Sequence, residues 1–369
     1  MKNNHLKICF LIPSVASGGI EMYLLRYLNF IKDTSQITVL VRSSQKGELY
    51  DEYKATGVKL VFLPLGYLSL SKTINHYQFY KSQKFAVICD FNANFAGLPM
   101  ALGKILKVPR RIAFYRQGSN HFPPSFIKNK VNSFMNHLVY KNATHILSNS
   151  NAALDFFFPN RKASDTRFKV IYNGVNIEEY DLPESKASIR EQLGIPQEAF
   201  VIGHVGRLDK AKNHDTVLKV FQQLQQEHSN FYLLLCGRNT ADLIPQLEAL
   251  GIKDKTFVLG YRKDVPRVLK SLDCFLFPSI TEGQPNALIE AMVSDLPVIT
   301  SNIPSILETL PKEAKNLAQK PTDSEALAKT LIAICYNKTE GSKFQYQEWA
   351  KKKFDAKKNF GEFNKILKL

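Results

Sequence analysis

The sequence predicts an α/β protein built from two doubly wound domains, and three observations predict it. Short apolar runs rich in β-branched and aromatic residues alternate with helical-period segments along nearly all 369 residues. The runs are almost continuously apolar, the mark of strands in parallel sheets covered on both faces. The alternation pauses between residues 181 and 197, a polar stretch punctuated by Pro183 and Pro196, and then restarts.

Taken in order, the strand candidates of the first half are Lys7–Pro13, Ile37–Arg42, Lys59–Leu63, Ala86–Cys89, Arg111–Tyr115, Thr144–Ser148 and Lys169–Tyr172. Helices fit between most of them. The clearest is Ile20–Ile31, where Ile20, Tyr23, Leu24, Tyr27, Leu28 and Ile31 recur at the spacing of one helix face. The second half offers Phe200–Val205, Phe231–Leu235, Phe257–Leu259, Cys274–Phe277 and Pro297–Thr300. The parse is a domain over 1–181 and a second over 182–345. Sheets of this kind bind ligands outside the carboxyl ends of their strands, so motifs are sought just after the apolar runs.

Composition narrows the class. Hydrophobic residues make up 44% and charged residues 22%, as in a soluble globular chain. No apolar run approaches the ~20 residues that span a bilayer. The opening MKNNHLKICFLIPS reads as a buried first strand, not a signal peptide, and five scattered cysteines without metal-ligand spacing suit a reducing cytoplasm. The net charge is +16, and residues 1–181 hold 23 basic against 11 acidic residues, which is +12 of it. Such an excess attracts nucleic acid, anionic lipid or phosphorylated substrates, unless it is plain surface lysine.

Three motifs follow strands. Ser17-Gly-Gly-Ile-Glu21 opens the first helix, and Gly18 and Gly19 let backbone N–H groups approach a phosphate. It lacks the GxGxxG pattern of a dinucleotide site. Gly206-Arg-Leu-Asp-Lys-Ala-Lys-Asn213 follows Phe200–Val205, and there Arg207 and Lys212 offer a guanidinium fork and a point charge to a diphosphate. The third is SITEGQPNALIEAM, residues 279–292, with Glu282 in a Gly/Pro turn and Glu290 in the helix that follows. Gln284-Pro285-Asn286 reads as a helix start with a capping side chain. A basic clamp, a helix start and two spaced carboxylates suit a phosphate-linked polyol, that is, a nucleotide sugar.

At this point the chain resembles a known family, the retaining GT-B glycosyltransferases of group 1, glycosyltransferase family four. The resemblance rests on Gly18-Gly19-Ile-Glu21, Val170-Ile-Tyr-Asn-Gly-Val-Asn176, Gly206–Asn213, Val258-Leu-Gly-Tyr-Arg262 with Asp264, and Phe277-Pro-Ser279 leading into the E-x7-E pair Glu282 and Glu290. It implies two Rossmann-like domains facing across a cleft, with a tail helix at about 346–369 crossing back to the first. It implies that Arg207 and Lys212 hold the donor diphosphate, that Glu290 binds the ribose and that Glu282 lies beside the transferred sugar. Gly283, Gln284, Pro285, Asn286 and Ala287 would contact sugar and phosphate through backbone groups, Tyr261 and Arg262 the base region, and Gly18 and Gly19 the cleft. Many members carry a histidine after the strand matching Arg111–Tyr115. Here Arg116 stands nearest, a candidate for acceptor or phosphate contact, with His121 further on. Asp295 stands where glycine is usual.

The expected reaction moves a sugar from a nucleotide diphosphate, UDP favoured and GDP possible, to a hydroxyl of a glycan or lipid-linked acceptor in bacterial polysaccharide synthesis, with retention. No metal or other cofactor is expected. Rival readings are a nucleotide-sugar epimerase or phosphorylase of this fold, or a basic nucleic-acid-binding module, although no nucleic-acid motif is recognisable. The segment 122–141 carries Phe126, Val131, Phe134 and Leu138 near one helix side, with Lys128, Lys130 and Lys141. That stripe either docks on an anionic membrane face, which would make the protein cytoplasmic and peripheral, or packs on the sheet.

Overall fold

The computed structural model describes residues 6–66, 69–119, 125–336 and 346–368. Its contacts divide the chain into two units, Met1–Gly174 with Ala356–Leu369, and Val175–Asp355.

The amino-terminal unit is a seven-stranded parallel sheet of β1 (Ile8–Ile12), β2 (Ile37–Val41), β3 (Lys59–Phe62), β4 (Val87–Asp90), β5 (Arg110–Tyr115), β6 (His145–Ser148) and β7 (Phe168–Val170). The strand order is β3-β2-β1-β4-β5-β6-β7. In the central register Phe10 stands between Val39 of β2 and Cys89 of β4. Every residue of β2 and β4 is buried, which is why these runs show no alternation. Helix Gly19–Phe30 lays Tyr23, Leu24, Tyr27 and Leu28 on one face of the sheet, and the tail helix Ala356–Leu367 adds Phe360 and Phe363. The rings interlock edge to face, Tyr27 with Phe363 at 4.9 Å and Tyr23 with Phe360 at 5.4 Å.

The carboxy-terminal unit is a five-stranded parallel sheet of β8 (Phe200–Val205), β9 (Phe231–Cys236), β10 (Thr256–Gly260), β11 (Cys274–Phe277) and β12 (Val298–Thr300), ordered β10-β9-β8-β11-β12. Its core packs Val217, Phe221 and Leu224 of helix His214–Glu227 on Ile202, Leu233 and Leu235. In each unit the winding reverses at one place, β1/β4 in the first and β8/β11 in the second. Crevices open there at the carboxyl ends of the strands.

Two expectations about the division are corrected. The chain passes to the second unit at Gly174/Val175, not near 181. A Cβ on Gly174 would stand 2.9 Å from Ala356 Cα, so this glycine fits against the tail, whereas Leu182 and Glu184 are held within the second unit by Lys270 and Arg267. The tail also begins later than 346. Helix Tyr346–Phe354 stays with the second unit, where Gln347 Nε2 donates to Val293 O at 3.0 Å and Lys353 Nζ to Glu308 O at 2.6 Å. The new division sharpens the charge: the first unit holds 27 basic and 9 acidic residues, +18, and the second 22 and 24, −2.

Helix Asn286–Val293 ends in paired bonds from Asp295 N to Met292 O and from Leu296 N to Ala291 O, with Asp295 at φ 59°. This closing turn needs a left-handed residue, and glycine takes it without the Cβ penalty. The exposed carboxylate also faces the negative end of the helix dipole. Asp295→Gly is expected to stabilise the protein by about 0.5–1 kcal/mol with turnover unchanged. A denaturation midpoint equal to or below that of the parent would contradict this account.

Candidate active site

The exits of β8 and β11 lie side by side because these strands are neighbours in the sheet. After β8 the chain turns at Gly206, close against Gly237 at the end of β9. A Cβ on Gly237 would stand 2.0 Å from Gly206 O, and Gly237 itself has φ 154°, so this crossing admits only glycine. Asp209 then caps the short turn Lys210–Lys212, accepting from Ala211 N at 2.9 Å. Asn213 follows at φ 57° and pins the loop from below, donating to Pro278 O at 2.9 Å and Pro321 O at 2.6 Å.

The loop presents its two cations differently. Arg207 is half exposed and 3.3 Å from Asp209. Lys212 is largely covered, and its Nζ donates to Glu282 Oε1 at 2.6 Å while lying over the Phe277 ring. The reason is tertiary: Ile280 N bonds Ala211 O at 2.8 Å, drawing the β11 exit onto the β8 loop. Beneath them sit His204 and His214, ring centres 4.7 Å apart. Burial, and then the neighbouring Lys212, pushes His214 down to about 4, while burial and the His214 charge hold His204 well below the usual range. Both are therefore neutral at pH 7, and the positive charge of the loop comes from its lysines and Arg207.

After β11, Gly283, Gln284 and Pro285 are buried and Asn286 and Ala287 half-buried. Helix Asn286–Val293 starts on Pro285 with no side-chain cap, contrary to the expected capping side chain. Asn286 begins the helix instead of preceding it. The first-turn N–H groups, which have no intrahelical acceptor by geometry, point to the same strand ends as Lys212 and Arg207. Glu290, one turn in, is only 6% exposed and lies near Cys236 of β9, whose thiol is pushed up first by burial and further by the charges of Asp264 and Glu290.

The β10 exit is two strands away. Tyr261 is exposed, but Arg262 is engaged by Asp264 through two bonds of 2.7 and 2.6 Å, and Asp264 also meets Arg267 at 3.3 Å. That fork is spent on the loop, so a contact from Arg262 to a base would be through its backbone.

In the amino-terminal unit the β1 exit carries Gly18 and Gly19. Gly18 is the residue before the helix, and a Cβ on it would stand 2.4 Å from Glu21 Oε2, whereas Gly19 faces open space. Glu21 in turn accepts from Ser14 Oγ at 2.8 Å, and Ser17 N donates to Glu48 Oε2 at 3.0 Å. Arg116, at the β5 exit, is 8% exposed. Its guanidinium lies 3.6 Å over the Tyr23 ring and donates from Nη2 to Asn173 Oδ1 at 2.6 Å. Burial lowers it to about 10, so it remains a cation at neutral pH. His121 lies outside the described residues.

The sequence motifs contain Asp209, Asn213 and Asp264 but gave them no role; in the structure they hold the site residues in place. Asp209 was findable as an acidic cap before a turn. Asn213 had a weaker signal, as asparagine is among the few residues that tolerate a left-handed backbone. Among the described residues no cluster of three or more His, Cys, Asp or Glu side chains is arranged to hold a metal ion.

Residues 185–352 match the family described as glycosyl transferases group 1. That match takes in 168 of the 369 residues, most of the carboxy-terminal unit. The chain is 24% identical over 319 residues to the UDP-Gal:alpha-D-GlcNAc-diphosphoundecaprenol alpha-1,3-galactosyltransferase of Escherichia coli, covering 82% of this chain and 81% of that protein. It is 28% identical to the putative glycosyltransferase EpsF of Bacillus subtilis over 169 residues, a match that spans 45% of this chain and 44% of EpsF, under half of either. Its GT-B fold is that of HepE from Anabaena, solved in complex with UDP, at a TM-score of 0.82 and 20% identity over 98% of this chain and 99% of that one. No helix among the described residues is long and apolar enough to cross a membrane.

Proposed function

We propose that this protein moves a sugar from a nucleotide diphosphate, UDP in preference to GDP, to a hydroxyl of a glycan or lipid-linked acceptor of bacterial surface polysaccharide, with retention and without a metal. The acceptor would be met at the cytoplasmic face of the membrane. The observation that carries this reading is the 2.6 Å pair of Lys212 and Glu282 at the β8/β11 reversal, with Arg207 beside it. The HepE complexes with UDP and with UDP-glucose support a uridine donor for this fold.

The chemistry asks mainly for a home for negative charge. As the bond from the anomeric carbon to the donor phosphate breaks, charge grows on the leaving diphosphate. Arg207, Lys212 and the uncapped helix start meet it with donors fixed in advance. The acceptor oxygen bonds the anomeric carbon on the same face, and its proton passes to the departing phosphate oxygen, so no side-chain base is needed. Glu282 orients the sugar through its hydroxyls and, in the free enzyme, holds Lys212 in position. Glu290 accepts from the ribose diol.

The test is a donor-hydrolysis screen over UDP- and GDP-sugars, with released nucleotide measured in the presence and absence of EDTA and the product anomer read by NMR. A UDP-sugar hydrolysed equally with EDTA, giving the retained anomer on transfer, is the expected result. Release that EDTA abolishes, or an inverted product, would overturn the metal-free or the retaining assignment respectively.

A further inference from the structure

We propose that the amino-terminal unit docks on an anionic lipid surface through a rim made by the first half of helix Phe126–Asn142 and the first turns of helix Leu70–Gln83. This deepens the functional reading above, since it names the surface on which a lipid-linked acceptor would be met.

Of the stripe on helix Phe126–Asn142, Leu138 is half-buried beside Gly97, whereas Phe126, Val131 and Phe134 face outward. Phe126 and Ile127 are each 74% exposed, Phe134 is 57% and Val131 39% exposed, while the face that turns inward carries Met135 and Val139. Ile127, Val131 and Phe134 recur at i, i+4 and i+7, one continuous outward face. The neighbouring helix Gly97–Ile105 decides which face is which. Gly97 fits so closely that a Cβ on it would stand 2.5 Å from Met135 O, and just before that helix Asn94 bonds Asn132 at 2.9 Å. The side-chain bond at Asn132 tethers the helix, and the part before it, Phe126–Val131, reaches about 9 Å further at 1.5 Å per residue.

Leu70 and Ile74 sit at the start of helix Leu70–Gln83 and are 75% and 44% exposed. Both helices follow strands of one parallel sheet and belong to the same layer, with Tyr80 and Val139 in one core cluster. Their amino ends therefore lie at the carboxyl rim of the sheet, the end that carries Gly18, Gly19 and Arg116. Docking by this rim would present that end of the unit to the bilayer surface.

Charge selects the occupant. Lys128 and Lys130 stand among the apolar residues, Lys130 Nζ 4.3 Å over the Phe126 ring, and the unit as a whole carries +18. Apolar side chains ringed by lysine stems match a headgroup boundary, where the rings enter and the ammonium groups stay with the phosphates. A second copy would bring another unit of +18 against the first, so self-association by this rim is disfavoured.

The experiment is co-sedimentation of the full chain with phosphatidylcholine vesicles, with and without phosphatidylglycerol. Binding is expected only to the anionic vesicles and is expected to weaken with salt. A Lys128→Gln/Lys130→Gln variant should partition roughly 30-fold less, at about 1 kcal/mol per lysine. Phe126→Ser/Ile127→Ser should lose binding while its circular dichroism is unchanged, since both side chains are exposed. Equal binding to neutral vesicles, variants that bind like the parent, or a solution dimer that ignores lipid would each overturn the proposal. The donor-hydrolysis screen without lipid, measured in parallel, separates the two readings: release from none of the UDP-sugars sinks the donor assignment and leaves the docking result standing.

Discussion

Lys212→Ala is expected to lower kcat/KM for the nucleotide-sugar donor by about 10²-fold or more, the scale of losing one fixed donor to a developing oxyanion. Arg207→Ala is expected to fall in the same range, because the guanidinium fork is the other charge-assisted contact available to the diphosphate. The two variants should part company in stability. Arg207 is half exposed, and its 3.3 Å approach to Asp209 at the surface contributes little. Lys212 is the partner of Glu282, a carboxylate whose side chain is only 11% exposed, so its removal leaves that charge covered and unpaired. A loss of roughly 1–3 kcal/mol is expected for Lys212→Ala and none for Arg207→Ala. Lys212→Met, which keeps the stem over Phe277, should be equally inactive. Denaturant melts alongside steady-state kinetics provide the check, and near-normal turnover in both alanine variants removes the diphosphate clamp.

Glu282→Ala and Glu290→Gln should fail in different ways. Glu290 is expected to meet the ribose, so replacing its carboxylate by an amide exchanges a strong acceptor for a donor. UDP affinity should drop by about 10- to 100-fold, the worth of hydrogen bonds to a charged group. Glu282→Ala should leave the Kd for UDP nearly unchanged, or tighten it, because Lys212 is released from its 2.6 Å partner and becomes available to the phosphates. Its cost should appear in turnover of the UDP-sugar, again by about 10²-fold. Calorimetric titration with UDP, paired with single-turnover kinetics on the sugar donor, separates the two. Equal loss of UDP affinity in both variants would contradict the division of labour.

What the sequence determined by itself was the content of the two sheets and the chemistry at their edges. Every strand candidate has a strand at its position within a residue or two, because buried parallel strands need unbroken apolar runs that local composition records directly. The glycine turns and the E-x7-E spacing were equally legible, since their constraints act over fewer than ten residues. Three things were decided only by tertiary structure. One is the Lys212–Glu282 pair, whose partners are 70 residues apart and meet because β8 and β11 are neighbours. Another is the division of the chain, which the pause at 181–197 misplaced, since packing of Gly174 on the tail carries no local signal. The last is the face of helix Phe126–Asn142. A helical apolar stripe has the same period whether it meets a core or a solvent, and the close fit of Gly97 against Met135 turned this one outward.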